Sequence, residues 1–118
     1  MPYDYDATSV KRGEPLPKDR YLCKIVKADE GLTKKDGHYK VVVDYKVAEG
    51  KYAGRSVRFH NITFFPPEHQ MAWLAIHYLK AIGQRHAGKF TVNPDAWIGK
   101  ELWVDVDIDG KYNVAKGV

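Results

Sequence analysis

Near its end the chain reads VDVDIDGKYN, with carboxylates at Asp105, Asp107 and Asp109 followed by Gly110. Oxygen ligands at alternate positions ahead of a turn glycine resemble the opening of a calcium-binding loop. Such a loop closes with a bidentate glutamate at its twelfth position, which here is Lys116, and it lies between two helices. The three carboxylates could instead supply a two-metal nuclease. A nuclease draws further acids from neighbouring strands, however, and Asp44 is the only carboxylate in the two strands expected nearby. A plainer reading fits the spacing. Leu102, Val104, Val106 and Ile108 alternate with Trp103, Asp105 and Asp107, the period of a half-buried strand, and Asp109-Gly110 is a hairpin turn signal. The aspartates then belong to the solvent side of a strand.

Other catalytic constellations are equally thin. His38, His60, His69, His77 and His86 could supply a base or metal ligands, but His69 and His77 stand two helical turns apart, without a ligand pair one turn away. The sequence carries neither a phosphate-cradling glycine loop ending in Lys-Ser or Lys-Thr nor a Gly-x-Ser-x-Gly elbow. Cys23 is the only cysteine, which excludes an intramolecular disulfide and a zinc site built on cysteine pairs. The expectation is a non-enzymatic protein without metal or cofactor.

A different chemistry is concentrated between Lys18 and Arg58. That stretch holds 11 Lys and Arg against 6 Asp and Glu, a larger local excess than the +4 net charge of the whole chain. Tyr21, His38, Tyr39, Tyr45, Tyr52, Phe59 and His60 are interleaved with these cations. Cations that follow phosphates and flat rings on which bases stack are what sequence-tolerant binding of a single nucleic-acid strand requires.

The elements that must position them follow from the patterning. Residues 1–19 are polar and turn-rich and read as a flexible or loosely packed arm; residues 20–118 read as one domain. RYLCKIVKA is a strand, DEGLTKKDGH a polar loop, and YKVVVDYKV a second strand. In the second strand Tyr39, Val41, Val43, Tyr45 and Val47 share one face, and Lys40, Val42, Asp44 and Lys46 the other. AEGKYAGR connects to VRFHNITFF, a third strand ended by Pro66 and Pro67. If Val57 and Phe59 point inward, Arg58 and His60 are presented outward beside Lys40 and Lys46. PEHQMAWLAIHYLKAIG predicts a helix with Met71, Leu74, Tyr78 and Ile82 as its buried stripe, widened by Ala75 and Leu79, and Gly83 as its stop. A linker with a short turn near Asp95–Ile98 leads to the final hairpin. No stretch has the length of a signal peptide or a membrane span.

Three strands, a helix and two strands make a mainly β chain. The expected architecture is a five-stranded OB-fold-type antiparallel barrel with one α-helix between strands 3 and 4; another small barrel or an α+β sandwich would also accommodate this order. The succession PKDRYLCKIVKAD, TKKDGHYKVVVDYKVAEGKYAGRSV, LKAIG and WIGKELWVDVDIDGKYN, from about Pro17 to Val114, resembles a family of small phage-encoded single-stranded-DNA-binding proteins with an OB-fold. EGKYAGR, IGKEL and the closing GKYN in that order carry the resemblance. It implies non-catalytic binding of single-stranded DNA in phage replication or recombination, in the cytoplasm of a bacterial host. Many such proteins recruit partners through an acidic tail, whereas this chain ends NVAKGV.

The candidate nucleic-acid-binding residues are Lys24, Lys34, Lys35, His38, Lys40, Lys46, Lys51, Tyr52, Arg55, Arg58 and His60. Each has a plainer alternative. Lys40 and Lys46 could line a solvated face, Lys34 and Lys35 could sit on a solubilising loop rather than a clamp, and Tyr52 could be a packing plug. Tyr39 and Tyr45 are expected inside the barrel, and Trp73 and Trp97 in the core or at an interface. The competing function is a small-barrel protein-interaction module. It would act through a sheet edge or through the helix face bearing Trp73, Ile76 and His77, with a second copy of the chain or a replication or recombination protein as partner.

Overall fold

The computed structural model describes residues 2–4, 15–110 and 112–118. Its elements are β1 (Asp19–Leu32), β2 (Tyr39–Val47), β3 (Ser56–Phe64), α1 (Trp73–Ala81), a 3-10 turn (Pro94–Trp97), β4 (Glu101–Asp109) and β5 (Tyr112–Gly117). All strand pairs are antiparallel, in the order β3-β2-β1-β4-β5. The two outer strands, β3 and β5, lie against each other, so the sheet curls into a nearly closed barrel. Five strands with one helix between the third and fourth make the OB-type arrangement expected from the sequence. The DVDID run is β4, and Gly110 turns the final hairpin with φ 63°.

Alternation builds the core. Cys23 and Ile25, then Val41, Val43, Tyr45 and Val47, then Leu102, Val104 and Val106 all point inward. Trp97 from the 3-10 turn and Ala75, Tyr78, Leu79 and Ile82 from α1 pack against them. Burial pushes the Cys23 thiol up to about 11, which keeps it protonated at neutral pH. Of the expected arm, residues 5–14 lie outside the described residues. Its end is docked: Leu16 is buried, its N–H donates to Asn113 Oδ1 at 2.7 Å, and its carbonyl accepts from Asn113 Nδ2 at 2.9 Å. Among the described residues, no helix is long and apolar enough to cross a membrane.

Two expectations about local structure are corrected. β1 continues to Leu32 because Asp29, Glu30, Gly31 and Leu32 pair with Val42, Val41, Lys40 and Tyr39; the ladder overrides the polar composition and shortens the loop. The helix begins only at Trp73. Its expected first turns are instead two successive four-residue turns, closed by His69 N–H to the Pro66 carbonyl and Ala72 N–H to the His69 carbonyl. The His69 ring explains the break. It stacks on Phe65 at 4.4 Å and accepts the Met71 N–H at 3.0 Å, satisfying a donor outside the helix. The buried stripe is therefore Ala75, Tyr78, Leu79 and Ile82, while Met71 and Leu74 are exposed. At the other end Gly83, with φ 72°, stops the helix as expected, and the Gln84 N–H reaches the Leu79 carbonyl at 2.9 Å.

The third correction concerns His60. In the β2–β3 ladder Val43 pairs with His60 and Tyr45 with Val57, so Arg58 and Phe59 together face Asp44: a β-bulge. Beyond the bulge the inward parity of β3 is reversed. Val57, His60 and Ile62 point inward, and Arg58 and Phe59 both point outward. His60 does not stand beside Lys40 and Lys46. Its Nδ1 lies 2.7 Å from the Tyr45 hydroxyl, which lies 2.7 Å from the Tyr78 hydroxyl. The Tyr45 hydroxyl thus hydrogen-bonds to both neighbours, joining β2, β3 and α1 through the core. Burial raises both tyrosines and lowers His60 to about 4.

That shift fixes a pH dependence. Because His60 falls from 6.5 to about 4 on folding, the unfolded chain binds a proton between these values that the folded chain refuses. Stability contributed by neutral His60 is present above 6.5 and lost as pH falls toward 4. Wild type should lose about 2 kcal/mol more than His60→Asn between pH 7.5 and 4.5, read as the difference in urea midpoints. Equal losses in the two proteins would show that His60 titrates alike in both states.

Candidate functional site

The outward side of β1–β3 collects the cations that the sequence singles out. Strand alternation directs Lys24 from β1, Lys40 and Lys46 from β2 and Arg58 from β3 away from the core, and register sets their spacing. Lys24 and Lys46 are directly opposite each other across the β1–β2 ladder, with Ser56 as the next neighbour on β3. Like charges in facing positions repel and destabilise a sheet. Glu101 faces Lys24 from β4. Yet among the described residues Lys24, Lys46, Lys34 and Lys35 form no ion pair. An external anion would relieve that repulsion. Lys40 lies across Gly31, where a Cβ would sit 3.6 Å from Lys40 Cε, and its Nζ is 3.4 Å from Asn61 Oδ1. The lysine stem thus lies along the sheet at van der Waals distance from that position.

The centre of this face is the bulge. Asp44, at an outward position yet buried, accepts the Phe59 N–H through Oδ1 at 3.0 Å and pairs through Oδ2 with Arg58 Nε at 3.4 Å. These bonds hold Phe59 at φ 63°, the left-handed region that glycine enters readily and bulky residues avoid. Among the described residues Phe59 alone of the non-glycine residues has a positive φ. Its ring is 66% exposed, with the Arg58 guanidinium 4.9 Å from the ring centre. A strained backbone that displays a phenyl ring to solvent gains nothing from burial, and strain of this kind concentrates where a protein works. Phe59 is thus the residue missing from the set expected from sequence.

The remaining candidates stand at the two ends of the sheet. At the β1–β2 end, Thr33–His38 is a compact turn: the Thr33 N–H donates to the His38 carbonyl at 2.8 Å and the His38 N–H to Thr33 Oγ1 at 2.9 Å. Lys34 and Lys35 are exposed on it, and His38 packs edge-on against Phe65 at 5.4 Å. Tyr39 lies near the same end; burial, then its hydrogen bond to Glu30, pushes its hydroxyl up to about 12. At the opposite end the β2–β3 connection carries Lys51, Tyr52 and Arg55. Tyr52 packs edge-on against Tyr21 at 6.0 Å and Lys51 Nζ lies 5.6 Å from its ring centre, so this tyrosine is half-buried. Trp97 is in the core and Trp73 is exposed.

The aspartates of the DVDID run keep to another part of the barrel. Asp105 pairs with Arg20 at 3.6 Å and Asp107 with Lys18 at 3.9 Å, on the outward side of β4 and β1. Among the described residues no group of three or more His, Cys, Asp or Glu is arranged to hold a metal ion. The arrangement on β1–β3 can therefore hold an extended polyanion along a cationic face with an aromatic ring at its centre.

Residues 3–116 match the family described as "Protein of unknown function (DUF669)", and the chain belongs to that family. No curated protein and no solved structure matches it.

The bulge geometry makes a stability measurement diagnostic. Phe59→Gly removes an exposed ring and relaxes a left-handed backbone, so the midpoint of denaturant unfolding should be unchanged or rise by up to about 1 kcal/mol. Asp44→Ala leaves the Phe59 N–H and Arg58 without their partner and should cost about 1–3 kcal/mol. A destabilised Phe59→Gly would mean that the ring serves packing.

Proposed function

We propose that this protein binds single-stranded DNA, with little dependence on sequence and without catalysis, along the outward face of β1–β3. The observation that carries the reading is the pairing of two features at one place. Lys24 and Lys46 oppose each other without an ion pair among the described residues, and Phe59 is held outward in a strained conformation under the Arg58 guanidinium. Phosphates would be neutralised by Lys24, Lys40 and Lys46, with the contacts extended at the sheet ends by Lys34 and Lys35 and by Lys51 and Arg55. Arg58, its charge already met by Asp44, would offer its remaining N–H groups. A base would stack on Phe59, worth roughly 1–3 kcal/mol. Tyr52, packed edge-on against Tyr21, offers a second, half-buried ring.

The resemblance to small phage single-stranded-DNA-binding proteins supports the same reading, under which the activity would serve phage replication or recombination inside a bacterial cell. An OB-type barrel suits the task because its second and third strands present a curved face to an extended strand. Several lysines left without an ion pair among the described residues favour a polyanion over a protein partner, because the cores of protein interfaces are depleted of lysine.

Fluorescence anisotropy with labelled oligo(dT), against a duplex of equal length, tests the reading. Tight binding to the single strand and weak binding to the duplex are expected. With about five phosphates neutralised, the log–log salt slope should be near −3.5. Lys46→Glu, which changes an exposed side chain and replaces the repulsion from Lys24 with an attraction, should weaken binding about tenfold while leaving the unfolding midpoint unchanged or slightly raised. A slope near zero, or an unaffected Lys46→Glu protein, would overturn the electrostatic account.

A further inference from the structure

Between β3, the start of α1 and β5 runs a groove of about 610 Å3, within the size range of small-molecule sites. Phe59 lines it from the bulge and Trp73, 60% exposed, from the first turn of the helix. Asn61, Thr63 and His77 supply polar groups among these rings. Cations are sparse: among the described residues Lys116 is the one lysine or arginine of the lining, and Asp105 is the one aspartate or glutamate. A phosphate backbone would find little to neutralise it here. Flat aromatic surfaces with amide, hydroxyl and imidazole groups suit the faces and edges of bases instead.

Phe59 belongs to both places. It is the ring beneath Arg58 on the cationic face and also part of the groove lining. A strand whose phosphates follow Lys24, Lys46 and Arg58 is therefore brought at Phe59 to the edge of the groove. Trp73 adds a second argument. A tryptophan on the first turn of a helix, left largely in water while Ala75, Tyr78 and Leu79 of the same helix are buried, contributes little to the fold.

Resting on the proposed single-strand binding, we infer that this groove is a base-binding subsite. It takes one or two nucleobases of the same strand, stacked on Trp73 beyond Phe59, while the phosphates stay on the outer face.

The test compares oligo(dT) with an abasic oligomer of the same length and charge. Trp73→Ala should weaken oligo(dT) binding at least about fivefold, the loss of one stacked base, and leave abasic binding and the salt slope unchanged. Trp73→Leu, which keeps apolar bulk without a flat face, should behave like the alanine variant. In a Trp103→Phe background, where Trp73 is the exposed tryptophan and Trp97 is buried, oligo(dT) should quench the emission and the abasic oligomer should not. Unchanged oligo(dT) affinity in both Trp73 variants would overturn the subsite and leave the cationic face standing. Equal losses on both oligomers would overturn it as well, by showing that Trp73 acts through the fold or the charge. An altered oligomeric state with unchanged DNA affinity would assign the groove to protein contact. Failure of wild type to bind oligo(dT) at all would overturn the subsite and the function it rests on together.

Discussion

A five-stranded sheet closes on itself only if its strands coil strongly, and among the described residues two of the three register irregularities, the third being at Asp105–Val106, lie at the level of Asp44. Both neighbours of β2 carry an extra residue at that level: Arg58 and Phe59 of β3 face Asp44 together, and β1 slips by one residue between Ile25 and Lys27. Bulges bend the strand that bears them and increase its twist. They leave backbone donors to be satisfied, and on the β3 side the Asp44 carboxylate takes the Phe59 N–H. One carboxylate thus fixes the bend, the outward pose of Phe59 and the position of Arg58. The same parity change sends His60 inward, where the Tyr45 hydroxyl meets it and passes the connection to Tyr78 of the helix. The barrel's closure, its helix docking and its displayed ring share a single origin.

Charge is partitioned around the barrel by the same alternation. On the outward side of β1 and β4, cations and carboxylates are matched, as in Arg20 with Asp105 and Lys18 with Asp107. Such exposed pairs add little stability, but they neutralise that side. On the outward side of β1–β3, Asp29 is spent on Lys27 and Asp44 on Arg58, leaving Lys24 and Lys46 opposed. A net charge of +4 spread evenly would create little field. Lysines held on one curved face form a directional positive potential instead.

Much of this was legible in the residues. The strand order, the helix between β3 and β4, the Asp109-Gly110 turn, the inward set of β2 and the helix stop at Gly83 follow from periodicity and turn chemistry. The bulge had a signal too. Val57 and Ile62 are both strong core residues, and their odd spacing cannot place both inward without an extra residue between them. Strict alternation put His60 outside for that reason. The left-handed φ of Phe59 had no comparable signal, because the sequence around it carries no glycine and the conformation is imposed by Asp44 across the ladder. The late helix start was hidden similarly: a His69 ring seated on Phe65 competes with helical hydrogen bonding only once β3 has placed Phe65 there. Local pattern specifies elements, whereas these features arise from pairing between them.

The groove beside the helix shows how tightly fold and candidate function are joined. Its walls come from β3, α1 and β5, and the relative position of the first two is set by the His60–Tyr45–Tyr78 hydrogen bonds. Those bonds lie beneath the groove, since His60 and Tyr78 also line it. Burial keeps His60 neutral through the physiological range, so the network holds its geometry without a charge to solvate. A polar network fully satisfied in the core specifies one arrangement of the elements it joins, where apolar packing alone would tolerate several. Phe59 then stands at a fixed distance from the helix: its backbone is pinned by Asp44 on the outer side, and its neighbour His60 is pinned by Tyr45 on the inner side. A flexible loop could display an aromatic ring, but it would lose conformational entropy on binding. Here that ordering is completed when the barrel closes, and the ring stands in water already positioned.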